Sequence, residues 1–123
     1  MLAPCRRYAI AAVLFTLAIA PASAHSDLHA SEPPDGAVLR SSPGVIALSF
    51  SMPMQVMALR LINEAGREQP LRREGNRTAL VHDARAAVTD ALPAGDYRVE
   101  WRGASPDGHA GGGTVRFRIE PAR

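Results

Sequence analysis

The chain has one cysteine, no lysine, and only 5% aromatic residues. Its cysteine is Cys5, so an internal disulfide and a multi-thiolate metal site are both excluded. The sequence has 14 basic residues, all arginine, and 12 acidic residues. Without Arg6 and Arg7 the two counts are equal, at 12 each. This balance argues against nucleic acid as a partner. No apolar run after residue 24 is long enough to cross a membrane, which predicts a soluble protein once the first segment is removed.

Residues 1–24 have the pattern of a cleavable secretory signal peptide. Two arginines precede an apolar run, Ile10–Ala20, which is too short to span a bilayer. The small residues Ala22-Ser23-Ala24 then fit a signal-peptidase site. We therefore expect one exported domain, residues 25–123, whose first residue is His25.

The exported part alternates apolar and polar residues in short runs bounded by glycine, proline and asparagine. This period of two predicts an all-β domain, an antiparallel sandwich of about seven strands. A strand is also expected over Thr78–Val81, and His82–Val88 fits a short helical turn. The inward-facing residues would be Ile46, Leu48 and Phe50; Met57, Leu59 and Leu61; Tyr97, Val99 and Trp101; and Val115, Phe117 and Ile119.

Two stretches do not fit the core pattern, and both carry metal-suited side chains. After cleavage, His25 would offer an α-amine and an imidazole on one residue. The loop Ser105–Gly113 contains Asp107 and His109, two positions apart, which in an extended segment places both side chains on one side. Such a nitrogen-rich set with one carboxylate favours tetragonal Cu(II) over zinc or calcium. The same loop residues also fit an ordinary solvated Asp-Gly turn, which is a common pair.

The sequence resembles the CopC family of periplasmic copper-binding proteins. The most specific similarities are a histidine eight residues before a proline, and a Tyr-x-Val-x-Trp strand that leads into Asp-Gly-His. The matching segments follow the order of the family and cover nearly all of the exported domain: His25–Gly36, Leu48–Ser51, Gly95–Trp101, Ser105–His109 and Gly113–Phe117.

The resemblance implies a seven-stranded Greek-key β-barrel or sandwich, with Ig-like or cupredoxin-like architecture. It implies one Cu(II) per chain, bound by His25, Asp107 and His109. It also implies a periplasmic monomer, not an enzyme, that buffers or transports copper or confers copper resistance, with a CopD-type inner-membrane protein as partner.

The chain departs from the family pattern at several positions. The family commonly has a glutamate where this chain has Met52. Some members bind Cu(I) in a methionine-rich stretch that has no methionine here, so Met52 and Met54 are the candidate Cu(I) ligands, while Met57 fits the core face of its strand. His29 is interpreted as a surface residue or a support for the ligands, and His82 as a solvated turn residue.

Two other functions remain open from the sequence. A copper oxygenase with a histidine brace also begins with a histidine, but a domain of this size leaves little room for a substrate platform. The other is a structural or adhesive sandwich module with no functional metal site. In that case, replacing both Asp107 and His109 with alanine would leave copper binding unchanged.

Overall fold

The computed structural model describes residues 27–122, and every regular element in that range is a β-strand. The prediction of an all-β fold is confirmed. The structure has eight strands where about seven were predicted, because strands of only two or three residues are included. The predicted signal peptide, its cleavage site and His25 lie outside the described residues. The strands are β1 (Leu28–Glu32), β2 (Ala37–Leu39), β3 (Val45–Asn63), β4 (Glu68–Gln69), β5 (Leu71–Arg73), β6 (Val81–Val88), β7 (Gly95–Ala104) and β8 (Ala110–Ile119).

One long strand, β3, organises the whole sheet. Its first half pairs with β1 and β6, and its second half pairs with β4 and β7, all antiparallel. The strand order is β2-β8-β7-β3-β6-β5, and β2 joins β8 in parallel. The sheet curls around its apolar face. No helix in residues 27–122 is long and apolar enough to cross a membrane.

The apolar core lies inside this curled sheet and follows the predicted alternation on three strands. Trp101 is 2% exposed and meets Phe50 edge to face, with ring centroids 5.0 Å apart. Aromatic pairs in this geometry add stability beyond the area that they bury. The confirmed inward residues are Ile46, Leu48, Phe50, Leu59 and Leu61 of β3, Tyr97, Val99 and Trp101 of β7, and Val115, Phe117 and Ile119 of β8.

The prediction that Met57 faces the core is wrong. Val56 pairs with Gly103 and Ala58 with Arg102, so Met57 has no partner residue on β7 and forms a β-bulge. A bulge inserts one extra residue and reverses the alternation beyond it. Val56 is therefore buried, whereas Met57 is 57% exposed.

The predicted strand over Thr78–Val81 and the helical turn over His82–Val88 are also wrong. A single strand, Val81–Val88, occupies the region and pairs with β3 on one side and β5 on the other. Its small residues Ala84 and Ala86 are buried and alternate with exposed charged residues. Pairing on both edges outweighs the helix preference of alanine, the residue with the highest helix propensity. Sequence periodicity cannot reveal that pairing.

Tyr97 should make the fold sensitive to alkaline pH. Its hydroxyl donates to the Pro93 carbonyl at 2.6 Å, and burial, with a smaller effect from Glu64, raises its pKa above 10.0. The folded protein thus holds this proton more tightly than the unfolded chain. The resulting stability is complete below about pH 10 and is lost as pH rises through the folded pKa. We expect Tyr97→Phe to cost about 0.5–1.5 kcal/mol at neutral pH.

Urea unfolding at about pH 7 and about pH 11 measures this effect. The wild type should lose more stability than Tyr97→Phe between the two pH values. An equal loss in both proteins would show that Tyr97 does not set the alkaline limit. Phe117, stacked on the Tyr97 ring with centroids 5.4 Å apart, is retained in both proteins and preserves the packing.

Candidate metal centre

A tight hairpin between β7 and β8 positions the two predicted loop ligands. The Gly108 amide donates to the Ser105 carbonyl at 2.9 Å, and the Ser105 amide donates to the His109 carbonyl at 3.0 Å. Gly108 has φ of 84°, a left-handed conformation that glycine adopts without strain. Together these bonds form a three-residue hairpin loop with glycine at its last position, and a proline, Pro106, suits the first turn position.

The loop is shorter than predicted, because the glycines that follow it belong to β8. Gly112 and Gly113 pair with Arg102 and Trp101 of β7. A Cβ atom on Gly112 would lie 2.8 Å from the Trp101 carbonyl oxygen, and one on Gly113 would lie 2.9 Å from the indole nitrogen. The glycines therefore permit close packing over Trp101, and the free loop is Ser105–His109.

Asp107 and His109 meet at the tip of this hairpin. Nδ1 of His109 lies 2.7 Å from Oδ2 of Asp107, and their side chains are 85% and 65% exposed, respectively. The Ser105 hydroxyl donates to the other carboxylate oxygen of Asp107. The predicted pairing of Asp107 with His109 is thus present, but a turn produces it where an extended segment was expected.

The hydrogen bonds at the tip keep the Asp107 carboxylate ionised. Donation from the Ser105 hydroxyl, then from the His109 side chain and backbone amide, lowers the pKa of Asp107 from 3.8 to about 2. Hydrogen bonds to the charged form of a carboxyl group favour that form. A carboxylate that is already deprotonated can bind a metal ion without releasing a proton.

Ser105 is the residue of this site that the sequence reasoning missed. A serine two residues before an aspartate at the start of a proline-containing turn was a usable signal, because serine hydroxyls commonly bond within turns.

We expect Ser105→Ala to raise the Asp107 pKa from about 2 toward 3.8, since the largest cause of the shift is removed. A ¹³C NMR titration of the carboxyl group measures this, and Ser51→Ala serves as the control. An unchanged Asp107 pKa would show that Ser105 has no such role.

The beginning of the described chain is fixed beside the middle of β3. Both the amide and the hydroxyl of Ser51 donate to the Asp27 carbonyl, at 2.9 and 3.2 Å. Four residues further along β3, Gln55 pairs with Ala104 at the base of the hairpin. The start of the described chain and the hairpin therefore border the same short stretch of β3.

The described residues supply only part of a metal site. Within residues 27–122 no three histidine, cysteine, aspartate or glutamate side chains are grouped so that they could hold an ion. Asp107 and His109 form a pair, and His25, the third predicted ligand, precedes the described range by two residues. The Cu(II) ligand set as a whole remains a prediction.

The two candidate Cu(I) ligands have different environments. Met54 is 0% exposed, and its methyl group lies against Gly103 and Gly111 in the core. Met52 is 53% exposed in a segment of β3 that leaves the regular pairing with β6. The two thioethers do not share one solvent-facing surface, and the Cu(I) site remains a prediction. Met57, assigned to the core from the sequence, is the other exposed thioether in the described part of the chain.

The two remaining histidines lie on strands. His29 is exposed in β1, at an irregularity of its pairing with β3, as expected of a surface residue. His82 is exposed but belongs to β6, so its assignment to a turn is wrong. Neither side chain lies in the hairpin that holds Asp107 and His109.

Comparison with known proteins gives one family and one fold. A family model described as the CopC domain matches residues 28–120. The crystal structure of CopC from Methylosinus trichosporium OB3b has a TM-score of 0.68 at 22% identity, covering 80% of this chain and 97% of that one. PcoC, described as a methionine rich copper resistance protein from Escherichia coli, has a TM-score of 0.63 at 24% identity, covering 79% and 100%. None of the curated proteins matches the chain at a significant level.

Proposed function

The chain belongs to the CopC family, and from this premise we propose that it is a periplasmic protein that binds one Cu(II) through His25, Asp107 and His109. The coordination of the ion and its later release to another protein would be its whole activity. No covalent step is required of these residues, so the proposal describes a carrier or buffer of copper and not an enzyme.

The observation that carries the proposal is the paired side chains at the hairpin tip. Oδ2 of Asp107 and Nδ1 of His109 are 2.7 Å apart. For Nδ1 to bind an ion, the ring proton of the neutral imidazole must move to Nε2. Two neighbouring ligands at about 2.0–2.1 Å from one ion, at right angles, are then separated by about 2.9 Å. One carboxylate oxygen and one imidazole nitrogen also match the donors that tetragonal Cu(II) prefers. The high exposure of both side chains leaves them open to an ion that arrives from solvent.

His25 would complete the set with its amine and imidazole. Asp27, two residues later, is held by Ser51 close to the stretch of β3 that reaches the hairpin base. A two-residue extended segment spans up to about 7 Å, so His25 would lie no further than this from Asp27. The amine must lose its proton to bind, so copper affinity should fall as pH drops.

The cellular role follows from the predicted export of the domain. A signal peptide over residues 1–24 would place the protein in the periplasm, where it would buffer copper, transport it or confer resistance. A CopD-type inner-membrane copper transporter is the partner that receives the ion. The protein would act as a monomer, because one chain supplies all three proposed ligands.

The test begins with N-terminal sequencing of the exported protein, followed by Cu(II) titration monitored by EPR. We expect cleavage after Ala24, a stoichiometry of one, and a tetragonal spectrum with nitrogen couplings. The double variant Asp107→Ala with His109→Ala should lose this spectrum, whereas His82→Ala, which removes an exposed imidazole on β6, should retain it. Unchanged binding in the double variant would favour a structural module. Copper-dependent oxidation of a polysaccharide would instead favour an oxygenase.

A further inference from the structure

A polar surface cavity of about 500 Å³ opens where the second half of β3 faces β4 and β5. Its lining includes three arginines, Arg60, Arg73 and Arg77, and one carboxylate, Glu68. Nε of Arg60 lies 3.2 Å from Oε2 of Glu68, so these two charges neutralise each other. Arg73 and Arg77 form no ion pair with any described carboxylate, and the cavity keeps two positive charges.

Arg73 is incompletely satisfied within the fold. Its two terminal nitrogens both donate to the Val56 carbonyl, at 3.3 Å each, on the residue before the Met57 bulge. Its Nε is buried and has no acceptor among residues 27–122. Nε itself is shielded from solvent, so an anion in the cavity would reach Arg73 through its terminal nitrogens, each of which carries a second N–H.

The surroundings of Arg73 also disfavour its positive charge. Burial first, and then the positive charge of Arg77, lower the pKa of Arg73. Two guanidinium groups that repel each other across a cavity attract an anion that can contact both. The planar fork of arginine matches the oxygens of a carboxylate or phosphate group.

We propose that this cavity is an oxyanion site, in which a carboxylate or phosphate group binds between Arg73 and Arg77. The ligand carries at least two oxygens, one for each guanidinium group. Gln69, at the end of β4, adds an amide to the lining. The site lies on β5 and the loop after it and uses neither Asp107 nor His109, so it stands independently of copper binding.

NMR of the ¹⁵N-labelled protein tests the proposal. Sodium phosphate and sodium malonate are titrated separately, with sodium chloride adjusted so that ionic strength stays constant. We expect a saturable shift of the Arg73 Nε–H signal with a Kd on the order of 1 mM for at least one anion. Saturation by phosphate alone identifies a phosphate source, saturation by malonate alone a carboxylate source, and saturation by both a general oxyanion site.

Three variants separate binding from general charge effects. Arg77→Gln should weaken the anion about tenfold, and Arg73→Lys, which keeps the charge but loses the fork, should also weaken it. Arg72→Gln is the matched control, since Arg72 is the exposed neighbour on β5 and does not line the cavity. The double variant of Asp107 and His109 should bind the anion normally, whatever its copper affinity. Shifts that do not saturate with either anion, or equal affinity in wild type and Arg77→Gln, would overturn the proposal.

Discussion

One extra alanine before His25 of the exported protein is expected to weaken Cu(II) binding about 100-fold or more. The extension converts the α-amine into an amide, which no longer offers a neutral amine nitrogen, and moves the free amine away from the imidazole. The ligand pair at the hairpin tip is untouched, so the effect isolates the contribution of the N-terminus. Competition titration against a copper chelator of known affinity measures the change.

The control for this experiment is the same alanine added after Arg123, which should leave the affinity unchanged. The uncleaved precursor should behave like the extended protein, because its His25 also lacks a free amine. Equal Cu(II) affinity in the extended and native proteins would reject His25 as a chelate. It would leave the hairpin pair, Asp107 and His109, as the principal binding element.

The second large effect is expected in the core. Trp101→Ala should reduce the free energy of unfolding by about 3–5 kcal/mol, a large part of the total of about 5–15 kcal/mol for a domain of this kind. The substitution leaves a cavity beside Phe50 and beneath the glycines of β8. Urea unfolding monitored by circular dichroism measures the loss.

Two other substitutions show whether this loss comes from packing. Trp101→Phe keeps an aromatic ring and removes an indole N–H that has no acceptor among the described residues, so its cost should be smaller. Leu80→Ala, at a side chain 52% exposed, should change stability little. A Trp101→Ala protein as stable as Leu80→Ala would show that the core does not depend on this indole.

The sequence predicts β7 and β8 well for a clear physical reason. Residues 97–102 of β7 and residues 114–119 of β8 alternate between apolar and polar, and regular pairing in the structure preserves that alternation. The glycines at the start of β8 do not alternate, and they were assigned to the loop. In β3 the sequence predicts the inward residues up to Phe50 and again at Leu59 and Leu61, but it does not predict the irregular pairing between them, which depends on contacts distant in sequence. The Met57 bulge lies in the pairing with β7, and Arg73 donates to the Val56 carbonyl beside it; neither contact appears in local periodicity.

The candidate site shows the same division between local and distant information. Asp107 and His109 are close in sequence, so their spacing alone indicates that their side chains can meet, although the turn differs from the predicted geometry. The hydroxyl of Ser105 belongs to the same short loop and was overlooked. The oxyanion cavity was not predicted, because it joins residues of β3, β4 and the loop after β5 that are separated along the chain.

The shared strand β3 also determines how the domain should open. Its first half belongs to the pairing that anchors the beginning of the chain, and its second half to the pairing that supports the hairpin. Amide protons in both halves should therefore exchange with solvent through a common, global opening. Both ends of the proposed copper site depend on β3, so global unfolding of this strand removes the support of both at once, and unfolding should release the copper in one cooperative event.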